Sequence, residues 1–263
     1  MKIVWFKRDL RLHDHEALHE ALSTSGKTLL LYIFEPSLMK DYHYSQRHFD
    51  FIKQSLEALQ KELQKYHTQI LIVQGEAVAV FEKLSKLISI REIYSHQETG
   101  IKLTYERDLA VAELLKEKEI IWKEYITNGV IRGIKNRKTW KENFPVPKEI
   151  TFQNDATAIQ NDLQKVTYES FGEIDWQNVS WPINEQQALA TLHYFIQNLL
   201  PCFGDYQDAM HTKEKYLFHS RLSFAMNAKI ISPKKVVDMV VEAYHQNPDI
   251  IALSQVEGFV RQI

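Results

Sequence analysis

Three groups of residues in this chain carry side chains able to do chemistry. The first is His219-Ser-Arg-Leu-Ser223, followed by Ser232-Pro233. Two hydroxyls, Ser220 and Ser223, flank the cation of Arg221. If Ser220 caps a helix over about 221–228, the uncapped N–H groups of its first turn join them in a site suited to a phosphate. The plain alternative is a capped helix with no ligand. Ser232-Pro233 opens a second helix, with proline at the first helical position where its missing N–H costs nothing. The second group is His15-Glu-Ala-Leu-His19, which fits the His-Glu-x-x-His pattern of zinc hydrolases, two imidazoles one turn apart with a carboxylate to activate water. A third ligand is needed. His13, Glu20, His43 and His48 are on offer, none at a diagnostic spacing. The third is Arg8, Asp9 and Arg11, whose alternating signs suit an internal ion-pair group better than catalysis.

Other candidates are weaker. Cys202 is the single cysteine, so the chain has no internal disulfide and no self-contained multi-cysteine metal site; it reads as a small buried residue. Lys and Arg crowd 131–150 around Trp140 and Phe144, a composition able to meet a phosphate backbone but more often a solvated face. Trp5, Trp122, Trp140, Trp176 and Trp181 read as packing residues. No Gly-x-Gly-x-x-Gly follows the first apolar run and no Gly-x-x-x-x-Gly-Lys occurs, which removes the dehydrogenase and P-loop readings.

The elements that must position these groups are legible. Apolar runs at 3–6, 28–34, 69–74, 91–95 and 119–123 read as buried strands. Between them, Asp14 is placed to cap a helix carrying Ala17, Leu18, Ala21 and Leu22. A longer helix, about 46–66, presents Phe49, Ile52, Leu56, Leu59 and Leu63 on one face. Val80, Leu84, Leu87 and Ile88 form the face of a third, and a fourth spans about 103–118. Strands alternating with helices predict an α/β fold, a five-stranded parallel Rossmann-like sheet with flanking helices, whose ligands sit at the carboxyl ends of the strands. Residues 151–185 are polar and acidic, with little periodicity, and read as a linker. Helices at about 185–200, 220–228, 233–246 and 250–263 make the rest all-helical. The division expected is an α/β domain over 1–130, a basic segment and linker over 131–185, and a partial helical domain over 186–263.

The 263 residues carry a net charge of −2, with 44% hydrophobic and 25% charged side chains, so no bulk charge points to nucleic acid. No apolar run reaches membrane-spanning length and the first residues form no leader segment; the expected location is the cytoplasm.

Val4-Trp-Phe-Lys-Arg-Asp-Leu-Arg-Leu-His-Asp-His-Glu-Ala-Leu18 resembles, nearly position by position, the opening of the photolyase/cryptochrome family, with Lys7 a conservative departure. Ser95-His-Gln-Glu-Thr-Gly100, Tyr105-Glu-Arg-Asp108 and Thr127-Asn-Gly-Val130 resemble its antenna domain. Phe203-Gly-Asp-Tyr-Gln-Asp-Ala-Met210 with His219-Ser-Arg-Leu-Ser223 resembles the start of its flavin-binding domain, His219 standing where the family has Thr. The resemblance implies FAD as cofactor, held by Tyr206, Ser220, Arg221, Leu222 and Ser223, with Gln262 on the helix facing flavin or lesion. It also implies a second antenna chromophore, damaged DNA as partner, and blue-light-driven repair of pyrimidine dimers by electron transfer from reduced FAD. A cryptochrome-type photoreceptor on the same fold is the alternative. A zinc hydrolase through His15-Glu16-x-x-His19 and a non-catalytic chromophore- or nucleotide-binding module are others. Leu253, Val256, Val260 and Ile263 keep one face in phase to the last residue, where the family continues with roughly as much helical domain again. The chain is therefore expected to be truncated and inactive alone, with a separate C-terminal half as candidate partner.

Overall fold

Apolar runs with side chains buried on both faces force the first half of the chain into a parallel sheet. A computed structural model describes residues 1–127, 132, 182–204 and 217–263. The basic 131–150 segment apart from Arg132, most of the linker, and Tyr206, Trp140, Trp176 and Trp181 lie outside the described residues. The chain divides into two compact units, Met1–Ser180 and Trp181–Ile263.

In the first unit the strands are β1 (Lys2–Phe6), β2 (Thr28–Phe34), β3 (Ile70–Gln74), β4 (Glu92–His96) and β5 (Ile121–Tyr125). All pairs are parallel, in the order β3-β2-β1-β4-β5, with Val4 opposite both Leu30 and Tyr94. Every residue of β1 and β2 is buried, as expected for central strands covered on both faces. The helices are α1 (Glu16–Leu22), a single turn α2 (Pro36–Met39), α3 (Gln46–Leu63), α4 (Ala77–Leu87) and α5 (Lys102–Glu117). One core layer joins Ile3, Trp5, Leu31, Val73 and Ile93 to Phe81 and Leu84 of α4 and Val111 and Leu115 of α5. On α4 the inward face is Ala77, Phe81 and Leu84. Val80 is only partly buried and Leu87 is exposed, so the expected face is rotated toward the larger Phe81, which meets Trp5 edge-on at 5.0 Å.

In the second unit the described helices are α6 (Glu185–Asn198), α7 (Ser223–Asn227), α8 (Pro233–Gln246) and α9 (Leu253–Val260). Ser232 caps α8 as expected, accepting from Lys235 N–H at 3.0 Å with Pro233 first in the helix. Phe195 of α6, Phe203 and Phe259 of α9 form an aromatic cluster with centroids 4.6 to 6.1 Å apart. The buried face of α9 is Val256, Gly258 and Phe259, while Leu253 is exposed. Phe259, out of phase with the expected apolar row, decides the orientation because it offers more area to bury than Leu253. Among the described residues, no helix is long and apolar enough to cross a membrane.

Candidate functional site

The sheet order places a topological switch point between β1 and β4, because the chain leaves β1 toward β2 on one side and returns to β4 on the other. Beyond the carboxyl ends of those strands is where ligands of open α/β sheets bind. Here the edge is filled by charged side chains of the chain itself. Lys7 Nζ lies 2.9 Å from Asp108 and 3.8 Å from Glu124. Arg8 reaches Glu98 at 2.6 Å. Arg107 of α5 reaches Glu35 at 2.5 Å and Asp108 at 2.9 Å. Arg132 lies 3.3 Å from both Asp108 and Glu124 and donates to the carbonyl of Glu98. Four cations face four carboxylates, so the group is neutral in sum and holds no surplus charge for an anion. Burial pushes the carboxyls of Glu35 and Glu124 upward against the pull of Arg107 and Lys7. Burial also lowers the Lys7 ammonium, which lies 4.6 Å over the Trp5 ring and 5.0 Å over that of Trp122. Of Arg8, Asp9 and Arg11, Arg8 is ion-paired as expected, with Glu98 90 residues away, while Asp9 and Arg11 are buried.

Asp9 works differently from the other acids. Its Oδ1 accepts from Lys7 N–H at 2.8 Å, and its Oδ2 sits 2.5 Å from His96 Nδ1 and 3.1 Å from His15 Nε2. All three side chains are 0 to 2% exposed. The neighbouring imidazoles hold Asp9 well below the usual carboxylate range despite its burial. Burial, with His15 and Arg11 nearby, pushes His96 down to about 3, so it is neutral. Arg11 donates to the carbonyls of His13 and Asp14, pinning the loop that carries these groups.

The helical zinc motif does not assemble. His15 is the N-cap of α1, with non-helical backbone (φ −121, ψ 86), and its Nδ1 accepts from Leu18 N–H at 3.1 Å. The expected cap, Asp14, stands one residue too early with left-handed backbone (φ 50). His15 and His19 therefore do not share a helical face, and the group of potential ligands that does converge contains His15 without His19. Histidine is not among the usual N-cap residues, which is why the sequence pointed to Asp14.

Between α5 and β5 lies a cavity of about 430 Å³, with Tyr105, Leu109 and Trp122 as apolar walls and Asp108, Glu124 and Arg132 as polar ones. In the second unit, Ser220 does not cap α7. Its Oγ accepts from Leu222 N–H at 3.4 Å, Arg221 has left-handed backbone (φ 58), and the helix starts only at Ser223. The segment thus turns sharply before a helix of 5 residues, too short for much macrodipole. Arg221 and Ser223 are exposed, Ser220 is half-buried and Leu222 is fully buried. The groups the segment carries are the hydroxyls of Ser220 and Ser223 and the guanidinium of Arg221. Gln262 is exposed just beyond α9, with its N–H on the carbonyl of Phe259. Cys202, expected to be buried, is partly exposed in a short turn. Gln255 was not singled out from sequence: its Oε1 accepts from Gly204 N–H, and a Cβ on Gly204 would come within 2.8 Å of it. No motif signals such a contact, because it joins residues 51 apart.

The geometry can be set beside known proteins. The chain is 34% identical over 156 residues to Cryptochrome DASH of a Synechocystis species, covering 57% of this chain and 29% of that one. It is 25% identical over 278 residues to the deoxyribodipyrimidine photo-lyase of Buchnera aphidicola, covering 94% of this chain and 54% of the relative. The chain thus spans about half or less of these relatives' length. Among solved structures, a Synechocystis cryptochrome superposes with a TM-score of 0.71 at 19% identity, covering 100% of this chain and 59% of the other. A class III photolyase from Agrobacterium tumefaciens gives 0.72 at 19% identity, covering 99% and 56%. The family model described as DNA photolyase matches residues 2–136, just over half of the chain, and with the parallel sheet and opening motif in place this chain belongs to the DNA photolyase family.

Proposed function

We propose that this chain serves a flavoprotein of the photolyase/cryptochrome type, acting in blue-light-driven repair of pyrimidine dimers in DNA. The observation that carries the reading is the family match over residues 2–136 joined in one chain to the turn at Ser220-Arg221-Leu222-Ser223. Residues 1–130 form the antenna-type domain, 131–185 the basic segment and linker, and 186–263 the start of the flavin-binding domain. Ser220, Arg221 and Ser223 hold the FAD diphosphate through hydroxyls and the guanidinium. Leu222 anchors the turn by its buried side chain, and Tyr206 and Gln262 complete the contacts. When bound, reduced FAD excited by light supplies an electron to the dimer. The chain's own part is to fix the diphosphate and to orient the cofactor.

A second light-harvesting group belongs to the same proposal. The structure of an archaeal photolyase from Sulfolobus tokodaii holds two FAD molecules and implicates a novel light-harvesting cofactor. The cavity walled by Tyr105 and Trp122 is a described place with suitable aromatic surface. Most affinity for a cofactor comes from enclosing it, so helical structure corresponding to the remaining length of the relatives, in the same or a separate chain, is needed for tight flavin binding and activity.

A photoreceptor role is the second reading, favoured by relatives that include cryptochromes of Synechocystis and Gallus gallus. The test is illumination of flavin-loaded protein with dimer-containing DNA. Light-dependent loss of dimers supports repair; flavin photoreduction with dimers intact supports the photoreceptor; no retained flavin under any condition overturns both.

A further inference from the structure

Asp9, His15 and His96 tie together three pieces of the α/β unit, the loop after β1, the start of α1 and the end of β4, and the flavin reading gives them no part. We propose that this group is a pH-sensitive clasp on the start of α1, in which a proton taken up at His15 Nδ1 breaks the cap and loosens residues 13–18. The placing of protons at neutral pH follows from the partners. His15 Nδ1 accepts from Leu18 N–H at 3.1 Å, so the ring's own proton is on Nε2, facing Asp9 Oδ2 at 3.1 Å. His96 turns Nδ1 to the same oxygen at 2.5 Å, and because Asp9 is held ionised, that nitrogen is the donor. Lys7 N–H satisfies Asp9 Oδ1. Every nitrogen aimed at Asp9 thus donates. Two lone pairs remain for an incoming proton, on His96 Nε2 and His15 Nδ1.

These lone pairs are not equivalent. Burial, with His15 and Arg11 nearby, keeps His96 neutral down to about 3, which leaves His15 Nδ1 as the acceptor open to a proton. That lone pair is the one that caps α1. Once protonated it becomes a donor facing the Leu18 N–H donor, so the bond is lost and the two N–H groups repel. The charged and titratable groups around His15 are Asp9 and Arg11 from the loop after β1 and His96 from the end of β4, its ring centroid 4.4 Å away. From α1 itself come Glu16 and His19, both partly exposed; past β5 the neighbour is uncharged Thr127, 3.3 Å from Arg11. Asp9 favours an imidazolium at His15 and Arg11 opposes it. His15 is 0% exposed, so water cannot replace the lost acceptor unless the chain moves. The part that moves is the first turn of α1 with the loop that Arg11 holds by the carbonyls of His13 and Asp14. Strands β1 and β4 keep their pairing, because the sheet's backbone bonds do not involve the imidazoles.

The test is an NMR titration of the ¹⁵N-labelled full chain from pH 8 to pH 4, following the imidazole nitrogens and the amide protection factors, corrected for the intrinsic pH dependence of exchange. At pH 8 His15 should carry its proton on Nε2. As pH falls, His15 should charge before His96, and Leu18 protection should drop with it by roughly 5- to 30-fold, the equivalent of a lost cap. Val4 and Tyr94, in the strands, should stay protected. His15→Asn, a good cap with no charge to gain, should hold Leu18 protection level across the range. His19→Ala should behave as the wild-type chain does. Three results in the wild-type chain alone overturn the proposal: His15 protonated on Nδ1 at pH 8, His96 charging first, or His15 charging with Leu18 protection unmoved. Loss of protection at Leu18 and Val4 together, which is unfolding of the whole unit, overturns it too. So does the same fall at Leu18 in His15→Asn, or its disappearance in His19→Ala.

Discussion

At the scale of single residues, the carboxyl edge of the sheet is decided by where protons and charges are held. His96 is kept neutral down to about 3 by burial beside His15 and Arg11. Its ordinary value is near 6.5. The unfolded chain therefore binds a proton that the folded one does not as pH falls from about 6.5 toward 3. The sign follows: stability from this group is fully present above about 6.5 and is lost progressively below it. Unfolding free energies from urea titrations should fall between pH 6.5 and 4, by an amount on the order of a few kcal/mol. His96→Asn should flatten that slope, and an unchanged slope would remove the assignment. Arg107 gives the second residue-scale expectation. It neutralises Glu35, itself 3% exposed. Arg107→Met leaves that carboxylate uncompensated and should cost about 3–5 kcal/mol in chemical denaturation. Replacing both Arg107 and Glu35 by apolar residues should recover much of the loss.

At the scale of elements, caps separate a serine that stabilises a helix start from one that does not. Ser232→Ala removes the acceptor for Lys235 N–H at the start of α8 and should cost about 1 kcal/mol in the thermal stability of the second unit. Ser220→Ala should cost less than about half of that, because Ser220 caps no helix and its bond to Leu222 N–H is long at 3.4 Å. Equal costs would mean that Ser220 serves the fold. These elements also show how far the sequence could be read. β2 was legible to the residue, because a central parallel strand is one unbroken apolar run, and α8 was legible from its Ser-Pro start. The caps of α1 and α7 were not, because left-handed backbone at Asp14 and Arg221 shifts each start by one or two residues, and no propensity marks it. The ion network was out of reach for another reason. Arg107 and Glu35 are 72 residues apart and Lys7 and Asp108 are 101 apart, pairings that only the assembled sheet creates. Motif resemblance singled out the Ser220–Ser223 segment. The burial of Leu222 and the bond from Gly204 to Gln255 needed coordinates.

At the scale of the whole molecule, a parallel α/β unit with a locked switch point is joined in one chain to a helical unit whose exposed turn carries Ser220, Arg221 and Ser223. The central claim is that this turn grips the diphosphate of a flavin. Riboflavin has the same ring system as FAD but no diphosphate, so the difference between their affinities isolates the grip from the enclosure of the ring. The decisive measurement is equilibrium dialysis of FAD and riboflavin against the wild-type chain and the Ser220→Ala/Ser223→Ala double variant. Two lost hydroxyl contacts predict FAD binding roughly 10- to 100-fold weaker in the variant, with riboflavin binding unchanged. Equal affinity of the wild-type chain for the two ligands, or the same loss for both in the variant, would contradict the account.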